Sequence, residues 1–554
     1  MKLKGSAIVV ETLIAHGVTD VFGFPGGAVL NLYDELYKYS DRINHYITAH
    51  EQGASHAADG YARATGKPGV VIATSGPGAT NLVTGLATAY LDSSPVVAIT
   101  GNVALPLIGK DSFQEVDITG ITMPVTKHNY IVKDVRDLEP TIREAFRIAM
   151  SGRPGPVLID IPKDIQDAEC EYAGEPLDPL FPRETASDAS LREAVKLIDA
   201  ANKPYIYAGG GVVTAGAYEA LERFAERIDA PVGFSMMGLS AMDYRSPRKL
   251  GMTGMHGVYA SSKMNAEADL IIGVGVRFSE RATGNKAKYE GGKSIIHIDL
   301  DAAELSKNIG CTVEVMGDIA DALPRLTAMV KRAVRPEWTA RAEFRRAEQC
   351  ELDASQASEF TPRNIIRAVR EYTADDTIIA TDVGQHQMWT AQYYDFAKPR
   401  TFLTSGGLGT MGFGLGAALG ASVARGGERT ILFTGDGSFH MNLNEFATAV
   451  MHNLPVAVIV FNNNVLGMVR QWQGLFYCKR YSQTTMNRAT NYQKLAEAFG
   501  GEGYRAENIE ELQSALDKVF GGNTPAIIEC LIDPDEKVLP MIPAGGSFDD
   551  MIVR

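Results

Sequence analysis

Short apolar runs alternate with longer stretches of helical periodicity along most of the chain. The runs are bounded by Gly, Pro or Asp, and they cover residues 70–73, 96–100, 205–208, 270–274, 295–298, 377–380, 430–433 and 456–461. Runs that are apolar throughout are typical of strands buried on both faces of a parallel sheet, with helices covering those faces. The pattern therefore predicts an α/β protein built on parallel sheets.

Two Pro- and charge-rich stretches, residues 172–187 and 332–361, interrupt this rhythm. We interpret both as linkers, because such composition is typical of connections between domains. A chain of 554 residues also exceeds what one core can hold, since domains usually contain roughly 100–200 residues. We predict three doubly wound parallel-sheet domains at residues 1–170, 188–335 and 360–540, followed by a C-terminal tail at 541–554.

The first and third predicted domains look like versions of one unit. Residues 70–102 and 430–463 share the order strand, Gly-x-Gly turn, helix, Pro-Val, strand and polar end. Any two βαβ units have part of this order in common, so a chance likeness stays open as an alternative. The difference between the copies is informative, since Asp436 replaces Pro77 in the second turn.

Composition excludes several classes of partner. The formal charge of −14 argues against nucleic-acid or anionic-membrane binding, which favours a basic surface. Five scattered cysteines without C-x-x-C spacing indicate neither a zinc site nor a disulfide framework, so we expect a reducing cytoplasm. The first residues, MKLKGSAIVVETLIAHGV, lead directly into what we predict to be an amphipathic helix. We find no signal core or membrane-spanning apolar segment.

A candidate cation site lies at two neighbouring strand ends. Asp436 stands in a Gly-Asp-Gly turn between Gly435 and Gly437, and Asn462 and Asn463 end the next apolar run. Ligands collect at the carboxyl ends of parallel strands, and Mg²⁺ is usually held by few protein oxygens together with phosphates and water. Either motif alone is usually an ordinary turn or loop. Together, 25 residues apart from Gly437 to Asn462, they resemble the diphosphate-binding signature of thiamine-diphosphate enzymes.

Glu51 is a candidate catalytic carboxyl group. It stands at the start of a predicted helix, where a Glu most often serves only the helix dipole. The following Gly-Tyr-Ala-Arg and Thr-Ser-Gly-Pro-Gly segments give the arrangement of thiamine-diphosphate enzymes. The resemblance implies that Glu51 bonds the aminopyrimidine ring and activates the cofactor, and a raised pKa in an apolar setting would help this proton transfer.

From residue 21 to its C-terminus, the chain resembles the large subunits of biosynthetic acetohydroxyacid synthases. The blocks that carry the resemblance include GFPGGAVLNLYDEL, HEQGASHAADGYARATG, GRPGPVLIDIPKDIQ, TSGGLGTMGFGLGAA, GDGSF and NNNVLGMVRQWQ. It implies domains that bind, in order, the thiamine pyrimidine, FAD and the diphosphate with Mg²⁺. Two departures are FSER at residues 278–281 where FDDR is usual, and Gly416 where Pro is common.

The activity implied is decarboxylation of pyruvate and condensation of the resulting enamine fragment with pyruvate or 2-ketobutyrate. The products are 2-acetolactate or 2-aceto-2-hydroxybutyrate, in the first common step of valine, leucine and isoleucine synthesis. A homodimer or tetramer with its active site at the subunit interface is implied, with a small regulatory subunit as partner. A pyruvate oxidase, a catabolic acetolactate synthase and a noncatalytic paralogue are the alternatives. The presence of Glu51, Asp436 and Asn463 speaks against the last.

The resemblance also assigns roles to individual residues. The expected catalytic set is Glu51, Gln114, Lys163, Met411 and Trp472, with Gly26 and Phe113 beside it and Trp472 against the second keto acid. The expected thiamine-diphosphate contacts are Gln385, His386, Gly409, Thr410, Met411, Gly437, Ser438, Asn463, Gly467 and Met468. The expected cation ligands are Asp436, Asn463 and the carbonyl of Val465. The expected FAD contacts are Arg153, His256, Gly275, Arg277, Arg281, Asp299 and Asp318.

Overall fold

Three six-stranded sheets, one in each third of the chain, form the framework. The computed structural model describes residues 1–174, 176–177, 179–354 and 360–553. Within those residues every strand pair in the three sheets is parallel. The predicted α/β fold class is therefore confirmed. In the described part of the chain, no helix is both long and apolar enough to cross a membrane.

In the first unit, residues 1–171, the first helix differs from the amphipathic helix that the sequence predicts. Its elements are β1 (Lys2–Lys4), α1 (Gly5–Ala15), β2 (Asp20–Phe24), α2 (Leu30–Lys38), β3 (Asn44–Ile47), α3 (Glu51–Thr65), β4 (Gly69–Ala73), α4 (Pro77–Thr80), α5 (Val83–Asp92), β5 (Val96–Asn102), α6 (Ile118–Thr122), β6 (His128–Ile131), α7 (Leu138–Met150), β7 (Val157–Pro162), α8 (Lys163–Asp167) and β8 (Glu169–Glu171). The sheet order is β3-β2-β4-β5-β7-β6. Eight of the eleven residues of α1 are buried, because α1 packs among α2, α7 and α8. It is not an amphipathic surface helix.

The middle unit, residues 188–329, has a different strand order. Its elements are α9 (Asp188–Ala200), β9 (Pro204–Ala208), α10 (Gly210–Ala215), α11 (Tyr218–Ile228), β10 (Val232–Phe234), β11 (Lys249–Met252), α12 (Tyr259–Glu267), β12 (Leu270–Val274), α13 (Glu280–Thr283), α14 (Lys286–Glu290), β13 (Ser294–Asp299), β14 (Val313–Met316) and α15 (Ile319–Met329). The order β11-β10-β9-β12-β13-β14 reverses direction between β9 and β12. Crevices at such reversals are where open parallel sheets bind ligands.

The two predicted linkers differ in secondary structure. Most of the stretch 332–361 is helix α16 (Pro336–Ala354), and residues 355–359 of that prediction lie outside the described residues. Trp338 is buried and its Nε1 donates to the Pro204 carbonyl at 2.9 Å, while Arg341 pairs with Glu267 of α12 at 2.6 Å. The charges that suggested a linker thus belong to a packed helix. In the stretch 172–187, residues 175 and 178 lie outside the described part, and the remainder has no helix or strand.

The third unit, residues 362–531, repeats the topology of the first. Its elements are α17 (Pro362–Tyr372), β15 (Ile379–Thr381), α18 (Gln385–Tyr393), β16 (Phe402–Leu403), α19 (Phe413–Ala424), β17 (Thr430–Gly435), α20 (Asp436–Asn442), α21 (Glu445–Met451), β18 (Val456–Asn462), α22 (Gly467–Phe476), α23 (Tyr492–Phe499), β19 (Glu502–Ala506), α24 (Ile509–Gly521) and β20 (Ala526–Leu531). The order β16-β15-β17-β18-β20-β19 matches that of the first unit when each set is numbered along the chain. The predicted repeat is confirmed.

Helices α3 and α19 join the first and third units through direct backbone contact. A Cβ at Gly60 would overlap the Ala417 carbonyl oxygen, and one at Gly420 would overlap that of Ala57. Gly416 follows the same rule, since a Cβ there would lie 2.7 Å from the Cβ of His56. The departure from Pro at this position therefore fits a close helix crossing in this chain.

The C-terminal tail returns to the middle unit. The Ile542 N–H donates to the Met255 carbonyl, and the Asn285 N–H donates to that of Gly546, both at 2.8 Å. Phe548 packs against Tyr289 with ring centroids 6.0 Å apart. The tail thus covers the helices that follow β12, and residue 554 of the predicted tail lies outside the described residues.

Candidate active site

Asp436 lies where the sequence predicts a cation ligand. Strand β17 ends at Gly435 and pairs with β18, so Asp436 and Asn463 follow adjacent strand ends. Burial raises the pKa of Asp436 to about 7, although the N–H groups of Gly437 and Asn464 act in the opposite direction. Burial outweighs the opposing charge of Arg488 on this carboxyl group, and a divalent cation would provide further compensation.

The two asparagines at the end of β18 have different partners. Asn462 donates from Nδ2 to Glu529 Oε1 at 2.6 Å. Asn463 instead lies with its Nδ2 3.4 Å from Gln385 Oε1, and its Oδ1 accepts from the Val465 N–H at 3.2 Å. Asn463 therefore faces Val465 in its own turn and Gln385 at the start of α18. The Asn462 amide is instead engaged inside the sheet. This arrangement fits Asn463 as the cation ligand.

A confined space surrounds these groups. A Cβ at Gly467 would overlap Gln385 Oε1, and one at Gly437 would come within 2.8 Å of the Leu466 side chain. Ser438 donates from Oγ to the Val383 carbonyl at 3.0 Å. Because Gly467 begins the ten-residue helix α22, free N–H groups of its first turn are available to an anion. The residues present fit a diphosphate with its cation.

His386 is a buried neutral imidazole next to this space. Burial lowers its pKa to about 3. Its Nε2 has no hydrogen-bond partner among the described residues, and its Nδ1 would lie 2.9 Å from a Cβ at Gly435. Buried polar atoms are seldom left without a partner. The unsatisfied nitrogen is consistent with a bound group in contact with His386.

The segment 404–412 presents the predicted thiamine contacts Gly409, Thr410 and Met411. Gly409 and Gly412 have φ angles of 74° and 89°, which favour glycine. Thr410 Oγ1 lies 2.7 Å from Thr88 Oγ1 of the first unit. The Gly412 N–H donates to Asp382 Oδ1 at 3.0 Å. Both ends of the turn that carries Met411 are therefore held.

Glu51 and Gln114 meet at the Gly-Pro-Gly turn that follows β4. Glu51 Oε2 accepts from Asn81 Nδ2 at 2.9 Å. A Cβ at Gly78 would lie 3.2 Å from Glu51 Oε1, and one at Gly76 would lie 2.9 Å from the Gln114 carbonyl oxygen. The structure therefore brings these two predicted site residues together within the first unit.

The remaining first-unit residues of the predicted site lie on an open surface. Phe113 is 86% exposed, Lys163 is exposed at the start of α8, and Gly26 lies against the Thr74 side chain. Among the described residues, no hydrogen bond or ion pair joins Glu51 to the segment 404–412 or to Asp436. A single chain thus presents two separate halves of the predicted site.

A cavity of about 1250 Å³ lies where the three units meet, at the strand reversal of the middle unit. Its lining includes every predicted FAD contact, together with residues of the third unit such as Gly406, Gly407, Gly409, Met468 and Trp472. The FAD contacts among the lining residues are Arg153, His256, Gly275, Arg277, Arg281, Asp299 and Asp318. His256 Nδ1 and Glu304 Oε2 are buried there without a partner among the described residues. The size of this cavity, its arginines and its unsatisfied polar atoms fit a dinucleotide.

Trp472 lies in the wall of this cavity. Its ring is partly buried and contacts Phe476 edge to face, with centroids 5.4 Å apart. The guanidinium of Arg281 lies over the indole ring. Trp472 is therefore a cavity residue, in contrast to the buried Trp338 and Trp389.

Sequence reasoning missed three buried acidic residues that support the site. Asp382 holds the N–H groups of Gly412 and Gly414. Glu445 of the third unit accepts from the His50 N–H at 2.9 Å, just before Glu51, and Asp92 binds the segment 404–412. The sequence could have indicated Asp382, because it follows the apolar run 377–380 and stands directly after strand β15. The other two act across units, which local patterns do not reveal.

Comparison with known proteins agrees with this geometry. Three family models match the chain: the N-terminal TPP binding domain of thiamine pyrophosphate enzymes at residues 3–121, their central domain at 191–326 and their C-terminal TPP binding domain at 382–530. The acetolactate synthase isozyme 3 large subunit of Escherichia coli K12 is 42% identical, with 99% of this chain and 98% of that protein covered.

Two further relatives are equally similar. The acetolactate synthase large subunit of Lactococcus lactis is 43% identical over 99% of this chain and 96% of its own length. The isozyme 2 large subunit of Escherichia coli K12 is 43% identical over the full length of both chains. The chain belongs to the acetolactate synthase large-subunit family of thiamine pyrophosphate enzymes.

Proposed function

We propose that the protein is the catalytic subunit of an acetohydroxyacid synthase, a thiamine-diphosphate-dependent carboligase. It decarboxylates pyruvate and joins the two-carbon fragment to pyruvate or 2-ketobutyrate, giving 2-acetolactate or 2-aceto-2-hydroxybutyrate. One observation carries the proposal: Asn463 and Gly467 meet beside Gln385, and Asp436 follows the end of the adjacent strand. This happens in a chain that matches acetolactate synthase large subunits over its whole length.

Thiamine diphosphate and Mg²⁺ are assigned to the third unit. Asp436, Asn463 and the Val465 carbonyl would hold the cation, and Gly437, Ser438 and Gly467 the diphosphate. When bound, thiamine supplies the nucleophilic carbon and the electron sink that 2-keto acid decarboxylation requires. Met411, on a turn held at Thr410 and Gly412, would support the cofactor from below.

Glu51 would accept and return a proton at the pyrimidine ring. Its carboxyl group is oriented by the Asn81 amide, which leaves the other oxygen, Oε1, beside Gly78. We propose that Glu51 acts on thiamine diphosphate bound to the third unit of a second copy of the chain. The reason is that, among the described residues, Glu51 has no bond to the segment 404–412 of its own chain. The exposed Phe113 supports a surface that a partner covers. A homodimer or tetramer follows, and the large-subunit names of the relatives suggest a regulatory partner.

FAD is assigned to the large cavity. Arg153, Arg277 and Arg281 supply positive charge to an anionic dinucleotide there, and the unsatisfied His256 Nδ1 supplies a polar contact. In this proposal the flavin takes no net electrons. A pyruvate oxidase would use the same cavity for a redox-active flavin, so the two activities differ in chemistry and not in this geometry. The expected cytoplasmic location stays a prediction.

The test is an assay of purified protein with pyruvate, thiamine diphosphate, Mg²⁺ and FAD. Acetolactate formation should require each cofactor when it is omitted in turn, and the flavin absorbance should stay oxidised in the steady state. Added 2-ketobutyrate should divert product to 2-aceto-2-hydroxybutyrate. Hydrogen peroxide in stoichiometric amounts would identify an oxidase instead, and flavin-independent acetolactate formation would identify the catabolic type.

A further inference from the structure

The C-terminal end of α5 is held from the side of the large cavity. The Leu91 carbonyl accepts from Arg277 Nη1 at 2.8 Å and from Arg153 Nη2 at 3.3 Å. Arg153 also donates from Nε to Ser93 Oγ at 2.7 Å. Cations interact favourably with the carbonyl end of a helix. Because both arginines line the cavity, a ligand there would contact the same groups that fix the end of α5.

Asp92, the next residue along α5, binds the third unit. Its Oδ1 accepts from the Gly407 N–H at 2.7 Å, and its Oδ2 accepts from the Gly406 N–H at 3.1 Å. The carboxylate side chain is fully buried, with 0% of its surface exposed. A buried carboxylate that accepts two backbone N–H bonds makes strong, directional contacts. Its position therefore determines where the segment 404–412 begins its turn.

Arg63 of α3 completes a buried ionic cluster with Asp92. It forms a two-point ion pair with Asp59, at 2.7 and 2.8 Å, and donates from Nη2 to Asp92 Oδ2 at 3.0 Å. Its Nη1 donates to the Thr404 carbonyl at 2.7 Å. Together with the contact between Thr88 and Thr410, helices α3 and α5 hold the segment at Thr404, Gly406, Gly407 and Thr410.

We propose that Asp92 is a positioning residue that couples occupancy of the large cavity to the geometry of the turn carrying Gly409, Thr410 and Met411. The inference rests on the proposed function, with FAD in the cavity and thiamine diphosphate at the turn. A dinucleotide that binds Arg153 and Arg277 fixes the end of α5, and Asp92 passes that constraint to Gly406 and Gly407. This gives a flavin that takes no net electrons a physical role in the reaction.

Coupling of this kind is reciprocal. If FAD increases the affinity for thiamine diphosphate by a given factor, thiamine diphosphate increases the affinity for FAD by the same factor. The factor is expected to be roughly tenfold, within the ~5–150-fold span usual for coupled sites. It is a ratio of binding constants, so turnover is not needed to observe it.

The test measures by calorimetry how tightly thiamine diphosphate binds to the full-length protein with Mg²⁺ present. The affinity for flavin-free protein is compared with the affinity for FAD-loaded protein. Wild type should bind roughly tenfold more tightly when FAD is loaded. In Asp92→Asn, the amide NH₂ must face either the Gly407 N–H or both the Gly406 N–H and Arg63, so the ratio should fall toward one. If Asp92 only stabilised the fold, Asp92→Asn would weaken thiamine-diphosphate binding by the same factor in the flavin-free and the FAD-loaded protein. That result would overturn the proposal.

Asp382→Asn is the matched control. Asp382 holds the opposite end of the same segment through Gly412 and Gly414, and it belongs to the third unit, away from α5. This variant should weaken thiamine-diphosphate binding in both flavin states and leave the ratio near the wild-type value. A ratio that falls as far as in Asp92→Asn would mean that any loosening of the segment abolishes the coupling, and the specific role of Asp92 would be refuted.

Amide hydrogen exchange of wild type tests the same idea without a variant. FAD alone should slow exchange at Thr410, which does not line the cavity, and unchanged exchange there with bound FAD would overturn the coupling. Suppose that FAD binds and that activity requires every cofactor, but that wild type binds thiamine diphosphate equally well with and without FAD. The coupling then fails and the proposed function stands. If FAD does not bind, the flavin assignment and the coupling fail together.

Discussion

The guanidinium carbon of Arg281 lies 5.9 Å from the ring centroid of Trp472. The middle unit thus provides a cation that stacks on a tryptophan of the third unit, in the wall of the cavity they share. Stacking of this type is worth roughly 0.5–2 kcal/mol. The two side chains thus meet where the middle and third units line the same cavity.

We expect Trp472→Leu to change substrate preference. Pyruvate and 2-ketobutyrate differ by one methylene, from which an apolar wall obtains about 1–3 kcal/mol. The variant should keep acetolactate formation from pyruvate, while its preference for 2-ketobutyrate in a mixed-substrate competition falls roughly tenfold, or about 1.4 kcal/mol.

Trp338→Leu is the control for that experiment. Trp338 is a core residue whose Nε1 donates to the Pro204 carbonyl. Its loss should lower the free energy of unfolding by about 2–4 kcal/mol without altering the product ratio. If Trp472→Leu behaves like Trp338→Leu, then Trp472 is a packing residue and specificity arises elsewhere.

Glu51→Gln should keep the fold and cofactor binding and reduce turnover by roughly 10²–10⁴, the usual loss when a proton-transfer group is removed. Gln retains an oxygen that can accept from Asn81, so the change removes acidity and little else. The measurement is kcat beside thiamine-diphosphate affinity. Glu35→Gln, on α2 and paired with Lys38, serves as the control and should retain turnover. Near-normal turnover of Glu51→Gln would remove its assigned role.

Asp436→Ala should abolish cation-dependent binding of thiamine diphosphate, because the only charged protein ligand of the proposed site is lost. Titration of cofactor with and without Mg²⁺ measures the effect. Cofactor affinity that still depends on Mg²⁺ as in wild type would locate the cation elsewhere.

The two asparagines supply an internal comparison for that site. Asn463→Ala should weaken the Mg²⁺ dependence. Asn462→Ala should preserve it but lower the free energy of unfolding by about 1–3 kcal/mol, since Glu529 loses its buried partner. The reverse result would assign the cation to Asn462.

Asp160 should make stability depend on pH. Burial raises its pKa to about 7, and the charge of Asp117 acts in the same direction, while bonds from Asn102 and Thr100 oppose it. Between about pH 4 and 7 the Asp160 carboxyl group loses its proton in the unfolded state and keeps it in the folded state. The free energy of unfolding therefore falls as the pH rises. Asp160→Asn should remove about 1–4 kcal/mol of that decrease in urea unfolding. An unchanged pH slope would show that Asp160 is ionised in the fold.

The sequence predicted the sheets better than the surroundings of each helix. Apolar runs located the strands because both faces of each sheet are buried, and the repeated strand order followed from them. Helix α1 and helix α16 were misjudged for one reason: composition does not reveal which neighbour covers a face. In the same way, Asn462 and Asn463 are equivalent in the sequence. Only the direction of each side chain, toward Glu529 or toward Gln385, separates them.

The backbone contact between α3 and α19 limits how this protein can be rebuilt. At Gly60 and Gly420 even a methyl group would overlap a carbonyl oxygen of the opposite helix, so neither helix tolerates change without a matching change in the other. A chimera that exchanges the first unit for that of a relative must therefore carry α19 with α3. The same constraint makes α3 and α19 move as one rigid body. Motions that open the site must therefore occur at the middle unit, the tail or the surface between copies.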